Sequence, residues 1–397
     1  MTAQVLPPPS TSIGPRAWLR ANLFSTWFNS LLTVVVGGLL LLVLVQVTGW
    51  ALTEARWGVV TSNLRLFLIG QYPGDQAWRV VAALTVISVL AGFSAGIYGP
   101  ATRTLGAALA AGQVLIAVLA LASEIGWLAS VALLINATLV GVAFYVSVRW
   151  RIPRRLLMAL WLASLPISFL LLGGLGTAEV PKVATSLWGG LLLTFLLAIV
   201  GIVLSFPFGV LLALGRRSAL PAVRVLSTVY IEVIRGVPLI TILFMADIML
   251  PLFLPGEVRI DRVLRAMGGI TLFSAAYVAE NVRGGLQAVP SGQGEAASAL
   301  GLSGVQTNIF IVLPQALRSV IPANVGLFIS LLKDTTLVTI IGLLELLGIG
   351  RAVLAQTEWF GAQLEVYVFV AAVFFVLCYA MSQASYRLET AMGVGSR

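Results

Sequence analysis

Long apolar runs recur along this chain and constrain its fold more than any other feature. They fall at roughly 28–50, 78–98, 104–123, 127–148, 156–175, 187–215, 236–254, 264–283, 316–343 and 362–386. A helix needs about 20 apolar residues to cross the hydrocarbon layer, where every backbone N–H and C=O must be bonded within the segment. About ten such windows predict an all-α, polytopic transmembrane helix bundle. Charge agrees: 10% of residues are charged, against about 25% in soluble domains, and mean hydropathy is +1.02.

The net charge of +9 raises the question of nucleic acid. The basic residues, however, lie between apolar runs rather than in one aromatic-studded patch, so membrane lipid is the expected partner and nucleic acid is not. One cysteine, Cys378, and no histidine leave no intramolecular disulfide, no metal cluster and no histidine proton relay.

Basic residues also orient the bundle. A Pro/Ser-rich stretch from Leu6 to Ser12 and the pair Arg16 and Arg20 precede apolar residues from about Leu31 to Val47, too long for a cleavable signal core, so a retained anchor is expected. With the N-terminus in the cytoplasm, Arg103, the clusters Arg149, Arg151, Arg154, Arg155 and Arg216, Arg217, Arg224, and Arg283, Arg318, Arg387 and Arg397 all fall inside. Arg56, Arg65, Lys182, Arg259, Arg262 and Arg265 fall outside. This asymmetry follows the positive-inside rule. The polar stretch Gly176 to Ser186, with Pro181, separates an N-terminal extension of about five helices, residues 1–186, from a second transmembrane domain at 187–391.

Within that second domain, residues 284–315 form a polar, glycine-broken loop expected on the cytoplasmic side. Pro290 and Gly292 predict the end of the preceding helix. Gly294, Glu295, Ala296, Ala297, Ala299 and Leu300 predict a short helix with an acid in its first turn. Gly301 supplies the bend, and Ser303 is placed to cap a second helix over 304–312 whose Val305, Ile309 and Val312 recur at helical spacing. Pro314 is expected to close it. Membrane-surface helices carry Lys or Arg on their polar face, and none lies between Gly284 and Pro314, so the pattern favours protein docking over lipid docking.

Five segments follow one another in order: WGGLLLTFLLAIVGIVLSFPFGVLLALGRRS at Trp188–Ser218, YIEVIRGVPL at Tyr230–Leu239, AAYVAENVRGGLQAVPSGQGEAASALGLS at Ala275–Ser303, LPQALRSVIPANVGLFISLLKDTTL at Leu313–Leu337, and Glu345-Leu346. This ordered set resembles the permeases of polar amino-acid ATP-binding-cassette importers, especially the general L-amino-acid type with an extended N-terminal half. Val237 stands where the family usually has threonine. The resemblance implies a five-helix importer permease core and an ATPase-coupling loop carried by Glu295, Ala296, Ala297, Gly301, Leu302, Leu313 and Pro314. It further implies an ATPase dimer that binds ATP and Mg2+, a second permease subunit that is a different chain, an extracytoplasmic amino-acid-binding protein, and a multi-pass position in a bacterial inner membrane. The chain itself is expected to bind no cofactor and to catalyse nothing. Its two lysines, Lys182 and Lys333, both lack the Gly-Lys-Ser/Thr context of a phosphate-binding loop.

Ionisable residues inside spans are costly and face a cavity or a partner. Lys333 and Asp334, followed by Thr335 and Thr336, are therefore substrate-path candidates, one charge for each end of a zwitterion, or else a structural pair. Glu232 and Arg235 fit a coupling or structural pair better than a substrate clamp, and Asp247 is an unexplained departure from the family pattern. Glu280 and Arg283, three apart on one helix face, can pair with each other or with the docking loop. Gly37-Gly38 and Gly284-Gly285 read as close-packing points, and Trp27, Trp50, Trp78, Trp127 and Trp188 as interface anchors. An ion- or proton-coupled secondary amino-acid transporter would instead show related halves with paired broken helices. A membrane enzyme would need a nucleophile and base or a metal set. The sequence shows neither.

Overall fold

The computed structural model describes residues 14–121, 123, 125–150, 152–177, 180–256 and 258–393. The stretch Leu6–Ser12 and the predicted inner residues Arg151 and Arg397 lie outside the described residues. The chain forms two compact units, Met1–Trp57 and Gly58–Arg397. This division does not coincide with the composition boundary near 186, because helices from both sides of that boundary pack within the second unit.

In the first unit a short helix, α1 (Pro15–Asn22), precedes α2 (Trp27–Thr53). The Thr26 hydroxyl accepts from Asn29 N–H at 3.2 Å and starts α2, while Thr33 Oγ1 donates to Leu23 C=O at 2.8 Å. Apolar all round with no buried residue, α2 has the surface of a helix solvated by lipid. A Cβ at Gly37 or Gly38 would meet nothing within 4 Å, so this pair packs no neighbour.

The second unit begins with two short helices, α3 (Gly58–Ser62) and α4 (Leu64–Ile69). Four long ones follow: α5 (Trp78–Ile97), α6 (Pro100–Leu121), α7 (Trp127–Trp150) and α8 (Arg154–Gly173). Small residues bring their backbones together: a Cβ on Gly92 would lie 2.4 Å from Val140 O. Polar side chains pin them further. Thr85 Oγ1 donates to Asn136 Oδ1, Gln113 Nε2 to Ser88 Oγ, and Trp161 Nε1 to Ser94 Oγ, at 2.8, 2.8 and 2.9 Å. Such bonds stabilise membrane bundles by about 0.6 kcal/mol each.

The rest is built around α13 (Arg262–Ala288), which packs on α9 (Gly190–Arg216), α10 (Pro221–Arg235), α11 (Leu239–Phe244) and α16 (Leu313–Asp334). Its buried face is mostly small: Ala266, Gly269, Thr271, Ser274, Ala275, Ala276 and Ala279. That permits close approach where no hydrophobic effect drives helices together. A Cβ at Gly209 on α9 would lie 2.5 Å from Val278, and one at Gly285 would lie 2.4 Å from Val320 of α16.

Among the described residues, eight helices are long and apolar enough to span, nine if α10 and the run Leu239–Phe253, bent by 107°, form one broken span. That run comprises α11, a π-helical turn at Met245–Met249 and α12 (Leu250–Phe253). The predicted window at 264–283 is α13, whose Arg262, Arg265, Glu280 and Arg283 keep it out of the apolar set although it has 27 residues.

Between α13 and α16 lie α14 (Ser291–Ala299) and α15 (Gly304–Gln306); beyond α16 come a 3-10 segment at Thr335–Ile341, α17 (Leu346–Leu354) and the last long helix α18 (Gln363–Met392). One end of the unit gathers the chain between alternate helices. Gly70 pairs with Trp188, Gly190 with Glu345, and Arg79 Nη1 donates to Pro181 C=O at 3.0 Å. Trp188 is 3% exposed and packs on Phe169, so it is a core residue there rather than an interface anchor; Trp27, Trp78 and Trp127 remain exposed near helix starts.

Candidate functional site

The loop predicted to dock a partner is a helical elbow. α13 stops at Ala288, and Pro290, which has no N–H to continue a helix, precedes α14. α14 starts at Ser291, earlier than predicted, so Gly292 lies inside it and Glu295 sits in its middle rather than its first turn. It ends in a full Schellman motif: Leu302 N–H donates to Ala297 C=O at 3.1 Å and Gly301 N–H to Ser298 C=O at 3.0 Å, with Gly301 at φ +80°.

The chain then turns into α15 through a capping box. Ser303 Oγ accepts from Gln306 N–H at 3.4 Å, and Gln306 Oε1 accepts from Ser303 N–H at 2.9 Å. Ser303 thus caps as predicted. Pro314 does not close this helix: α15 passes through a π-helical segment, Thr307–Val312, straight into α16, so that Gly304–Ile341 runs as one helical stretch. Pro314 stands at the start of α16, and a proline is tolerated in a first turn.

Ala297, Thr307 and Val312 are buried, and Gln315 Nε2 reaches Gln293 Oε1 at 3.3 Å, which holds the elbow's two arms together. Its outer surface is apolar. Leu300 is 83% exposed, and Val305, Ile309 and Phe310 are also exposed, so the predicted Val305–Ile309–Val312 stripe is buried only at Val312. Glu295 is the single charge on this rim from Gly284 to Leu317.

Two turns before α13 ends, a charged cluster joins three helices. Glu280 accepts Arg283 Nε at 2.9 Å and a second, shorter bond from Arg283 Nη2, as the spacing predicted. The oxygen that accepts Nε, Oε2, also lies 3.5 Å from Arg235 Nη1 of α10 and 3.6 Å from Arg216 Nη1 of α9. Arg216 also pairs with Glu232 at 2.8 Å. Glu232 and Arg235 are thus joined through Arg216 and Glu280 rather than to each other. Arg235 further lies over the Tyr277 ring, 5.8 Å from its centroid. Nothing in the spacing of Arg216 links α9 to α13, so its place in this cluster is set by packing alone.

Of the substrate-path candidates, Lys333 and Asp334 are consecutive on α16 and therefore point apart; among the described residues neither forms an ion pair. Lys333 is exposed and Asp334 half-buried, while Thr335 is fully buried with its hydroxyl on Leu332 C=O at 2.7 Å. Thr336 likewise bonds back to Lys333 C=O at 2.8 Å. Asp247 lies in the π-helical turn Met245–Met249, 3.0 Å from Arg265 and 3.2 Å from Arg262, and Arg265 also donates to its backbone carbonyl. Its charge is already balanced. Among the described residues no cluster of His, Cys, Asp or Glu could hold a metal.

Glu345 is fully buried and caps α17. Its carboxylate accepts Leu347 N–H at 2.9 Å, Gly348 N–H at 2.8 Å and Thr339 Oγ1 at 2.9 Å. Burial raises its pKa above the ordinary carboxyl value, against the lowering effect of those bonds.

Comparison with known proteins places these features. Residues 205–390 match the family described as binding-protein-dependent transport system inner membrane component. The chain is 37% identical over 410 residues to the inner membrane amino-acid ABC transporter permease protein YhdY of Escherichia coli K12, covering 98% of this chain and 96% of that protein. It is 38% identical over 437 residues to the glutamate/glutamine/aspartate/asparagine transport system permease protein BztC of Rhodobacter capsulatus, covering 96% and 95%. A crystal structure of an amino acid ABC transporter with histidines aligns at TM-score 0.46 and 30% identity, over 51% of this chain and 92% of that one.

Proposed function

The chain belongs to the amino-acid ATP-binding-cassette importer permeases, and from that membership we propose that it forms the translocation pathway by alternating access with a second, different permease chain. Separate ATPase subunits, which hold ATP and Mg2+, supply the work, and an extracytoplasmic binding protein delivers the amino acid. The N-terminus and the elbow at 284–315 face the cytoplasm, and the elbow is where the ATPase docks. Residues 1–186 act as a scaffold and 187–391 as the permease core.

The observation that carries this reading is the elbow itself. Two short helices are locked at a fixed angle by a Schellman motif and a capping box, and their exposed rim of Leu300, Val305, Ile309 and Phe310 carries one acid and no base. A rim of this kind fits an apolar cleft on a protein better than an anionic lipid surface. Because α15 continues through Pro314 into α16, a push on the elbow is delivered along one helical stretch to Lys333 and Asp334. Those two residues, with Thr335 and Thr336, are the proposed point of contact with substrate; Glu232 and Asp247 support the path from within ion pairs.

Copurification with the ATPase tests the reading. Glu295→Lys and Gly301→Leu should each lose the ATPase from the detergent-solubilised assembly while the permease itself stays monodisperse. Retention of both the ATPase and substrate-stimulated hydrolysis in both variants would refute it. Uptake into vesicles that persists without ATP and collapses with an ion gradient would instead establish the secondary transporter.

A further inference from the structure

We infer that Glu280 is a positioning residue for transport, the fastening through which displacement of the elbow moves α9 and α10. The inference rests on the proposed docking of an ATPase at the elbow. α13 feeds that elbow directly, and Glu280 stands eight residues before its end. From this point the carboxylate holds guanidinium groups from three helices: Arg283 of α13, Arg235 of α10 and Arg216 of α9.

Three properties of this cluster fit a transmission role better than simple glue. First, its members are one-quarter to one-half exposed, so the pairs exchange with solvent and are individually weak. Packing of small residues, not charge, already holds α9 against α13, as the close approach of Gly209 to Val278 shows. Second, the arms differ in length. Arg283 is held at hydrogen-bond distance within the helix, whereas Arg216 and Arg235 stand at 3.6 and 3.5 Å, ion pairs that can tighten or part as the helices shift. Third, α10 is the first half of the broken span: Gly236, Val237 and Pro238 separate it from α11 at a 107° bend. Arg235, the last residue of α10, is thus paired with Glu280 immediately before the bend. Three arginines against Glu280 and Glu232 leave one positive charge, so loss of the Glu280 charge leaves the arginines to repel one another.

The experiment is ATP-driven uptake by the complete transporter in proteoliposomes, with ATP hydrolysis measured in the same vesicles. Glu280→Gln keeps a hydrogen-bond acceptor for Arg283 and removes the charge. It should leave hydrolysis present but lower the amount of amino acid moved per ATP by roughly 2- to 30-fold, the range for mutations that change coupling without touching ligand. Arg235→Gln, which cuts only the α10 arm, should lower the ratio in the same direction, and Glu280→Asp should restore part of it. If Glu280→Gln does not assemble, Arg235→Gln decides alone. An unchanged ratio in Arg235→Gln, or a loss of hydrolysis equal to the loss of uptake, overturns the inference. Failure of the unmutated transporter to couple ATP to uptake would instead overturn the proposed function.

Discussion

Gly70 and Gly189 approach so closely that a methyl group on Gly70 would lie 2.5 Å from the Gly189 Cα. Gly70 is also at φ +65°, where an L side chain is strained, and neighbouring Gly190 is at φ +59° with its N–H on Leu344 C=O at 2.9 Å. This contact ties the segment before α5 to the start of α9 and to the α17 cap through backbone atoms.

Gly70→Ala should therefore destabilise the whole second unit. Gly70 lies at φ +65°, ψ -139°, a region that costs a non-glycine residue about 1–3 kcal/mol, and the backbone clash adds to it. Thermal unfolding in detergent, followed by fluorescence-detected gel filtration, should show a clear drop in midpoint, with Gly37→Ala unchanged as the comparison.

Gly301→Ala should behave differently. Its φ of +80° is strained for alanine, but a Cβ there meets nothing within 4 Å. The cost is limited to about 1–2 kcal/mol of local strain, spent on opening the elbow. Global thermal stability should hardly change while affinity for the ATPase, measured by microscale thermophoresis, falls.

Lys333→Gln and Asp334→Asn should alter uptake of anionic, neutral and cationic amino acids unequally. Loss of the exposed cation should weaken anionic substrates most, and loss of the half-buried acid should weaken cationic ones. Equal losses across all three classes would make the two residues structural.

Glu345 gives a pH dependence. Its folded-state pKa is raised above the ordinary value of 4.5 by burial, so its contribution to stability is full below that value and declines as pH rises through the raised folded value. The unfolding midpoint of the detergent-purified chain should fall over that window, and Glu345→Gln should flatten the slope. A slope unchanged in the variant would assign the dependence to other groups.

Much of this architecture is legible from residue order alone. Apolar length predicts the spans, and Ser303 after the Gly301 bend announces its cap, because both signals are local. What escapes depends on partners distant in sequence. Pro314 reads as a terminator, yet the preceding π-helical turn carries the helix through it. Trp188 reads as an interface anchor, yet Phe169 buries it. Asp247 has no visible reason until Arg262 and Arg265 fold onto it, and Arg216 joins Glu280 only through the packing of α9 on α13. The broken span at Gly236–Pro238 hides for a related reason: α10 is amphipathic, so hydropathy registers only the run after the bend.

The most direct measurement is cross-linking from Leu300, 83% exposed at the tip of the elbow. A Leu300→Cys, Cys378→Ser variant of the full transporter, carrying a short photoactivatable group on the new thiol, should cross-link to the ATPase in native membranes. The thiol should also resist a membrane-impermeant maleimide added from outside intact cells. Modification from outside, or illumination that yields no adduct with any other polypeptide, would contradict the entry of force through this elbow.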